Sequence, residues 1–444
     1  MPLMDIVALK LVLLGLIAAV LLKQSGLSSE LLYCAFLLGL VLLLTHARSS
    51  LLVKLYGLYL IVVFVLPTVG RWIIGDVSEQ YDSASYSDAL EYVLYYNCVF
   101  VAVFLLISRS DSADFMVKRI GNHKAAYRVG LSVLFLSLLA TSYLASTGNF
   151  RALDTASGGG RLLGLVTAFS ELGILALFIL GALKLQSRSI LIHLTYIVAI
   201  LLLAGLGALS GSRWYLAQVF LIVFFIQNSK GRLSGLIIIA VAVPIVAISF
   251  PLLGTYRSQF YDLDLAVGAV RNIDNLGFYV LDTLIADRMN YAKIVQRVID
   301  STQDRIGYLF GYLDNFIGLI PRVIWPDKPV IGMNLNQVAF EMGIVSASDF
   351  QTSIGLGVVG ESYYQLKGYG LVVAIVQAML FRIVETFQFS RDFFWRSAYV
   401  SFCLILVVKD SYAAIIPLFI THIVVLTMAS HATRLLSGRR AVTQ

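Results

Sequence analysis

Long apolar runs alternate with short polar connections over most of the 444 residues. The runs are continuously apolar, unlike the alternating pattern of a membrane β-barrel, and most have the length of about 20 residues that crosses a bilayer as a helix. We predict an all-α, polytopic integral membrane protein with about twelve transmembrane helices, near residues 6–22, 30–46, 51–67, 90–107, 127–146, 162–183, 190–209, 213–226, 233–253, 368–388, 394–408 and 411–430. The start of the tenth run is the least sharply marked.

Basic residues in the short connections predict how the spans are oriented, because lysine and arginine concentrate on the cytoplasmic side of a membrane protein. With twelve spans, five basic sets all fall on one face: Arg109, Lys118, Arg119, Lys124 and Arg128; Lys184 and Arg188; Lys230 and Arg232; Arg391 and Arg396; and Arg434, Arg439 and Arg440. We therefore expect both termini to be cytoplasmic.

One long excursion, residues 254–352, lies on the opposite face in this topology. It carries 8 basic and 11 acidic residues, and such balanced charge among apolar and aromatic residues favours a folded segment over a disordered linker. The stretch from Asp274 to Ile299 has the pattern of amphipathic helices that lie at a membrane surface. We expect residues 1–444 to form a single membrane domain, with residues 254–352 as a long periplasmic segment between spans nine and ten.

The composition agrees with membrane insertion and excludes several other classes. The chain is 59% hydrophobic, only 13% charged, and has a mean hydropathy of +0.85. The net charge of +7 is explained by basic cytoplasmic loops, so no nucleic-acid partner is expected. The three cysteines are scattered through apolar stretches, and no phosphate-binding loop, nucleophile elbow or histidine cluster is present. We expect no cofactor and no metal.

Arginines near the membrane on the outer face are the first candidates for function. Arg213 opens the eighth span after a Ser-Gly-Ser turn. It is either an interfacial anchor beside Trp214 and Tyr215 or a guanidinium at a helix N-terminus, a position that favours an anion. Three more outer arginines are either solvated surface residues or further ligands of a diphosphate, for which planar bidentate donors are well suited: Arg257, Arg288 and Arg322.

Lys409 and Asp410 interrupt the apolar run between Leu404 and Ile420. They form either a mutually neutralising pair in a tight outer turn, or a cation and a carboxylate at the mouth of a cavity.

The glycine-rich stretch from Thr352 to Gly370 predicts close backbone approach or a broken helix at membrane depth. Glu361, Tyr363, Tyr364 and Tyr369 would then face a cavity lined by this segment. Glu361 is a candidate general base, and the alternative is a hydrated glutamate at a helix end.

Other acidic residues point to different chemistry. Glu171, near the middle of the sixth span, is typical of a proton relay in a transporter. Asp262 and Asp264 have a spacing that suits a divalent cation, but such pairs are common in loops.

Four motifs resemble those of the bacterial Wzy-type polymerases, which join oligosaccharide repeat units of O-antigen and related surface polysaccharides. The stretch PRVIWPDKPVIGMN, residues 321–334, is similar to the family's Trp-Pro signature. SGSRWYLAQ (210–218), GVVGESYYQLKGYG (357–370) and VVKDSY (407–412) are similar to its other motifs, and occur in the family's order. The resemblance covers roughly the last 240 residues, while the first 150 match in hydropathy alone.

This resemblance implies a GT-C-type glycosyltransferase at the periplasmic face of the inner membrane. Donor and acceptor would both be oligosaccharides linked to undecaprenyl diphosphate, and a chain-length regulator is left open as a further partner. Glu361 and Asp410 would be catalytic, and the phosphate-binding residues would be Arg213, Arg257, Arg288, Arg322, Lys328 and Lys409. Trp325, Asn334, Tyr363 and Tyr364 would bind sugar.

Two other classes remain open. A flippase or proton-coupled transporter explains the many spans and Glu171, but more often has two pseudo-repeated halves. An O-antigen ligase is chemically close and relies on a periplasmic histidine. None of the five histidines falls in an outer loop of this topology, with His422 inside the last span, so we favour a polymerase.

Overall fold

The computed structural model describes residues 30–47, 51–74, 83–107, 123–146, 163–209, 218–223, 226, 290–301, 325, 356–387, 389–390, 393–408 and 412–441. Within these ranges the regular structure is helical, without a strand. The predicted all-α class is confirmed for this part of the chain. The total of twelve spans stays a prediction, and two of them, residues 6–22 and 233–253, lie outside the described residues.

Helices occur at nine of the twelve predicted positions and over part of a tenth, residues 218–223. We number the longer elements α1 (Glu30–Ala47), α2 (Leu51–Leu60), α3 (Leu66–Ile74), α4 (Ser83–Ile107), α5 (His123–Ser146), α6 (Leu163–Gln186), α7 (Ile190–Leu209), α8 (Tyr291–Ser301), α9 (Gly357–Leu366), α10 (Leu371–Phe387), α11 (Phe393–Val408) and α12 (Tyr412–Ala441). The largest differences from the predicted boundaries are that α4 begins at Ser83, the helix from Leu51 continues to Ile74, the tenth helical region begins at Gly357 and α12 ends at Ala441.

Six stretches in the described ranges are long and apolar enough to cross a bilayer: Leu52–Gly70, Ser85–Ile107, His123–Leu144, Phe169–Gln186, Ile190–Gly207 and Gly357–Phe387. Large apolar side chains are exposed along them, as on α7, where Ile190 is 73% and Leu201 is 66% exposed. A soluble protein rarely has such continuous apolar surfaces, whereas lipid covers them at no cost. The protein is therefore a multi-pass membrane protein.

A π-helical turn, Ile61–Val65, joins α2 to α3 without ending the helix. Leu66 donates its backbone N–H to the carbonyl of Ile61, five residues earlier. The widened turn directly precedes Pro67, which has no N–H and whose ring conflicts with the carbonyl four residues earlier in a regular α-helix. The sequence thus produces a continuous helix with a local distortion.

The helices pack around two central ones. α4 is surrounded by α1, α8 and α10, while α6 packs against α5, α7, α11 and α12. Residues 172–183 of α6 are all buried, which is typical of a helix enclosed by protein on every side. α11 connects the two groups because it contacts α2, α10 and α6.

Side-chain hydrogen bonds bring several helix termini to one end of the bundle. Thr68 Oγ1, late in the α2–α3 helix, lies 3.0 Å from the hydroxyl of Tyr86, early in α4. The Tyr86 hydroxyl donates to Oδ1 of Asn290, the residue directly before α8, at 3.2 Å. Gln296 Nε2 of α8 donates to Ser85 Oγ at 2.6 Å. The first turn of α3, the start of α4 and α8 therefore meet at one end of the bundle.

The opposite end is held by a different contact. The backbone N–H of Leu52, in the first turn of α2, donates to the hydroxyl of Tyr399 in α11 at 3.3 Å. This N–H has no partner within its own helix, so the tyrosine satisfies a group that would otherwise be buried unbonded.

The packing of α8 bears on one expectation. The sequence predicted amphipathic helices at the membrane surface in the stretch that contains residues 291–299. α8 packs against α4 and α9, with Ala292, Val295 and Val298 all completely buried. Its place relative to the membrane surface stays a prediction. Its apolar side covers protein rather than lipid, a distinction that amphipathicity alone does not make.

Candidate functional site

The short helix α9 carries Glu361, and both of its ends have unusual backbone geometry. Gly357 begins the helix with a φ of 67°, and Lys367 ends it with a φ of 51°. A 3₁₀ turn, Lys367–Gly370, then leads into α10. The break that the glycine-rich stretch predicts is present, and it separates α9 from a helix that would otherwise continue it.

Two glycines allow α9 to approach its neighbours closely. A Cβ on Gly357 would lie 2.6 Å from Cδ1 of Tyr291 in α8, closer than any side chain tolerates. A Cβ on Gly370 would collide with the hydroxyl of Tyr92 and with the backbone carbonyl of Ser362. The first site requires glycine both for space and for its positive φ.

Glu361 is 1% exposed, so the hydrated helix-end alternative does not describe it. Gln365, one turn further along α9, is 2% exposed and lies on the same side of the helix. Successive residues are rotated by about 100° around an α-helix, so this side differs from that of Ser362, which contacts α4. A buried carboxylate and carboxamide one turn apart can accept and donate hydrogen bonds to a polar ligand.

The aromatic residues predicted to bind sugar differ in exposure. Tyr363 and Tyr364 are half-buried, and the Tyr363 ring meets the Tyr92 ring edge-on at 4.8 Å between centroids. Trp325 is 40% exposed, which leaves its indole accessible. Tyr369, in the 3₁₀ turn, is 83% exposed, so it does not belong to the buried part of the site.

A row of polar side chains on α4 contacts α8 with its N-cap residue, α9 and α10. Ser85 and Tyr86 make the contacts with α8 and its N-cap residue described above. Further along α4, Tyr92 Oη lies 3.0 Å from Ser362 Oγ of α9, and Tyr96 donates to Gln377 Oε1 of α10 at 2.8 Å. None of these α4 residues belongs to the sequence motifs described above. The available signal was the density of hydrogen-bonding side chains in a membrane span, where each is expensive unless bonded.

α4 also has a buried carboxylate that sequence analysis missed. Glu91 is 6% exposed and accepts a hydrogen bond from Tyr95 at 2.6 Å. It lies seven residues before Cys98, inside the candidate span Ser85–Ile107. Charged groups at such positions are usually functional. The signal was the same as for Glu361, an acidic residue within an apolar helix.

Most of the predicted site residues lie outside the described residues. Arg213, Arg257, Arg288, Arg322, Lys328, Asn334, Lys409 and Asp410 are among them, as are Asp262 and Asp264. Of the predicted set, Glu361, Tyr363, Tyr364 and Trp325 are described, and the first three lie together on α9.

Two described residues bear on the alternative functions: Glu171 on a transporter and His422 on a ligase. Glu171 lies two turns into α6 and is partly exposed, rather than enclosed like the residues that follow it. His422 is 1% exposed, with Nδ1 2.8 Å from the carbonyl of Leu418 in its own helix. Among the described residues, no three His, Cys, Asp or Glu side chains lie together in a group that would hold a metal ion.

Comparison with known proteins assigns no family to this chain, because no family model, curated protein or solved structure matches it.

Proposed function

We propose that this protein polymerises lipid-linked oligosaccharide repeat units by glycosyl transfer, as the Wzy-like motifs imply. The observation that supports this most strongly is a buried carboxylate, Glu361, on a short helix that interrupts a membrane span. Half-buried tyrosines follow it at the same end of the bundle as α8. A site of this kind combines a proton acceptor, aromatic faces for sugar rings and an apolar environment for a polyprenyl chain.

The proposed reaction joins two substrates on the same lipid carrier. A hydroxyl oxygen of the acceptor repeat unit attacks the anomeric carbon of the donor chain and forms the new glycosidic bond. The bond from that carbon to the diphosphate breaks, and undecaprenyl diphosphate leaves with the electron pair. The hydroxyl proton passes to a carboxylate, for which we propose Glu361, with Asp410 as a second catalytic carboxylate.

Negative charge develops on the leaving diphosphate, and fixed cations lower the energy of that transition state. We propose that Arg213, Arg257, Arg288, Arg322, Lys328 and Lys409 provide them without a metal, as the sequence motifs imply. Trp325, Asn334, Tyr363 and Tyr364 are proposed to bind sugar. The fold is proposed to be of the GT-C type with about twelve spans, in a bacterial inner membrane, with both termini cytoplasmic and α9 towards the periplasm.

The deciding experiment supplies purified full-length protein with undecaprenyl-diphosphate-linked repeat units, extracted from the host with this gene deleted. A ladder of longer lipid-linked chains, formed equally well with a chelator present, supports a metal-independent polymerase. Lack of any extension would contradict the proposal.

Arginine variants separate the polymerase from the alternatives in cells. Replacing Arg213, Arg257 or Arg322 singly with alanine is expected to leave products with one repeat unit while long chains disappear. If repeat units instead fail to reach the periplasm, the protein is a transporter. If long chains accumulate on the carrier lipid without reaching their final acceptor, it is a ligase.

A further inference from the structure

The orientation of the Glu361 side chain is not set by α10, the long helix that follows α9. α9 has only ten residues, and a left-handed residue lies at each end, Gly357 and Lys367. So short a helix is marginal without tertiary contacts, and the 3₁₀ turn uncouples its rotation from that of α10. Contacts with other helices must therefore determine the direction in which its side chains point.

Tyr92 makes the polar contact from α4 to the residue next to Glu361. Ser362 donates its single hydroxyl hydrogen to the carbonyl of Val359 at 2.7 Å. Its oxygen is then an acceptor, so across the 3.0 Å between Tyr92 Oη and Ser362 Oγ the tyrosine is the donor. Both hydroxyls are buried, Ser362 completely and Tyr92 at 8% exposure. A bond of this kind is costly to leave unmade.

The 3₁₀ turn is shaped around the same hydroxyl. A side chain on Gly370 would occupy the space that Tyr92 Oη and the Ser362 carbonyl fill. The ring of Tyr92 also supports Tyr363 edge-on. One side chain therefore contacts α9 at two successive residues and the turn behind it, which restricts rotation of α9 about its own axis.

We propose that Tyr92 is a positioning residue for Glu361. Its hydroxyl holds Ser362, fixes the rotation of α9, and so directs the Glu361 carboxylate towards the acceptor hydroxyl. The inference rests on the role given to Glu361 in the proposed function and adds to it a residue from a helix outside the family-like motifs.

The first test measures the accessibility of Glu361 without any substrate. Tyr92→Phe keeps the ring and loses the hydroxyl, and Tyr96→Phe is the matched control, since Tyr96 lies one turn along α4 and bonds to Gln377 of α10 instead. The purified full-length proteins are treated with dicyclohexylcarbodiimide, and modification of Glu361 is followed by peptide mass spectrometry. We expect Tyr92→Phe to accelerate it on the order of fivefold, the factor that loss of one net hydrogen bond produces in a local opening equilibrium. Equal modification in the two variants, including none in either, overturns the proposal.

The second test asks whether Tyr92 acts through Glu361. Polymerisation rates are compared for the wild type, Tyr92→Phe, Glu361→Gln and the double variant. A positioning role predicts that Tyr92→Phe slows the wild type but has no further effect once Glu361 is replaced. A general structural role predicts the same loss in both backgrounds and overturns the inference. If the wild type itself extends no repeat unit, the proposed function fails, while the labelling experiment still decides the positioning role.

Discussion

The hydroxyl of Tyr86 donates to Asn290 Oδ1 at 3.2 Å, although the two residues are 204 positions apart in the chain. Asn290 Oδ1 also accepts the backbone N–H of Lys293 at 3.1 Å, the interaction of an N-cap residue. A single oxygen thus caps α8 and ties it to α4. This bond adds to the apolar packing that holds α8 against α4.

The cap predicts the stability of α8. Replacing Asn290 with alanine should weaken the helix by about 1 kcal/mol, because the N–H of Lys293 loses its acceptor. Amide hydrogen exchange in residues 293–298 should then be on the order of fivefold faster. Asn290→Ser is the matched control, since serine also caps helices and should retain most of the protection. Exchange unchanged in the alanine variant would contradict the role of the cap.

Sequence reasoning located the helices and the break before α10 because both have local causes. Lipid requires long apolar runs, and glycine permits the close approach at position 370, where a side chain would meet Tyr92 and the Ser362 carbonyl. It did not show that α8 packs against α4 and α9, because an apolar stripe has the same pattern whether lipid or protein covers it.

The partners of α4 were not predictable for a related reason. Tyrosines within an apolar run are compatible with lipid interfaces, protein cores and binding sites alike. Pairings such as Tyr92 with Ser362 depend on how distant helices meet. That in turn depends on packing of the whole bundle, which one sequence does not specify locally.

Two glycines, Gly357 at the start of α9 and Gly368 in the 3₁₀ turn after it, should respond differently to the same substitution. Gly357→Ala should destabilise the protein by about 1–3 kcal/mol, because the methyl group meets the ring of Tyr291 and alanine disfavours the φ of 67°. Gly368→Ala should be tolerated, since nothing lies within 4 Å of its Cβ position. Thermal unfolding in detergent distinguishes them. Equal melting temperatures would show that α9 does not depend on its contact with α8.

Two buried glutamates, Glu361 and Glu385, should respond differently to replacement by glutamine, because only Glu361 lies at the proposed site. Glu361→Gln removes the proton acceptor and should reduce the polymerisation rate by about a hundredfold or more, while the protein still folds. Glu385, 3% exposed and close to the other end of α10, is the matched control. Its partner is Arg382, 3.4 Å away, so Glu385→Gln should affect stability rather than the rate. Comparable rate losses in both variants would remove the case for Glu361 as the base.

The orientation of the bundle can be tested with single cysteines. The three native cysteines, Cys34, Cys98 and Cys403, are buried and should not react in the folded protein. Tyr369→Cys introduces a thiol at an 83% exposed position next to α9, and Arg188→Cys introduces one at an exposed position between α6 and α7. If α9 faces the periplasm, a membrane-impermeant maleimide should label the first variant in spheroplasts and the second only after the cells are lysed. The reverse pattern would place α9 in the cytoplasm, where lipid-linked repeat units are made rather than joined.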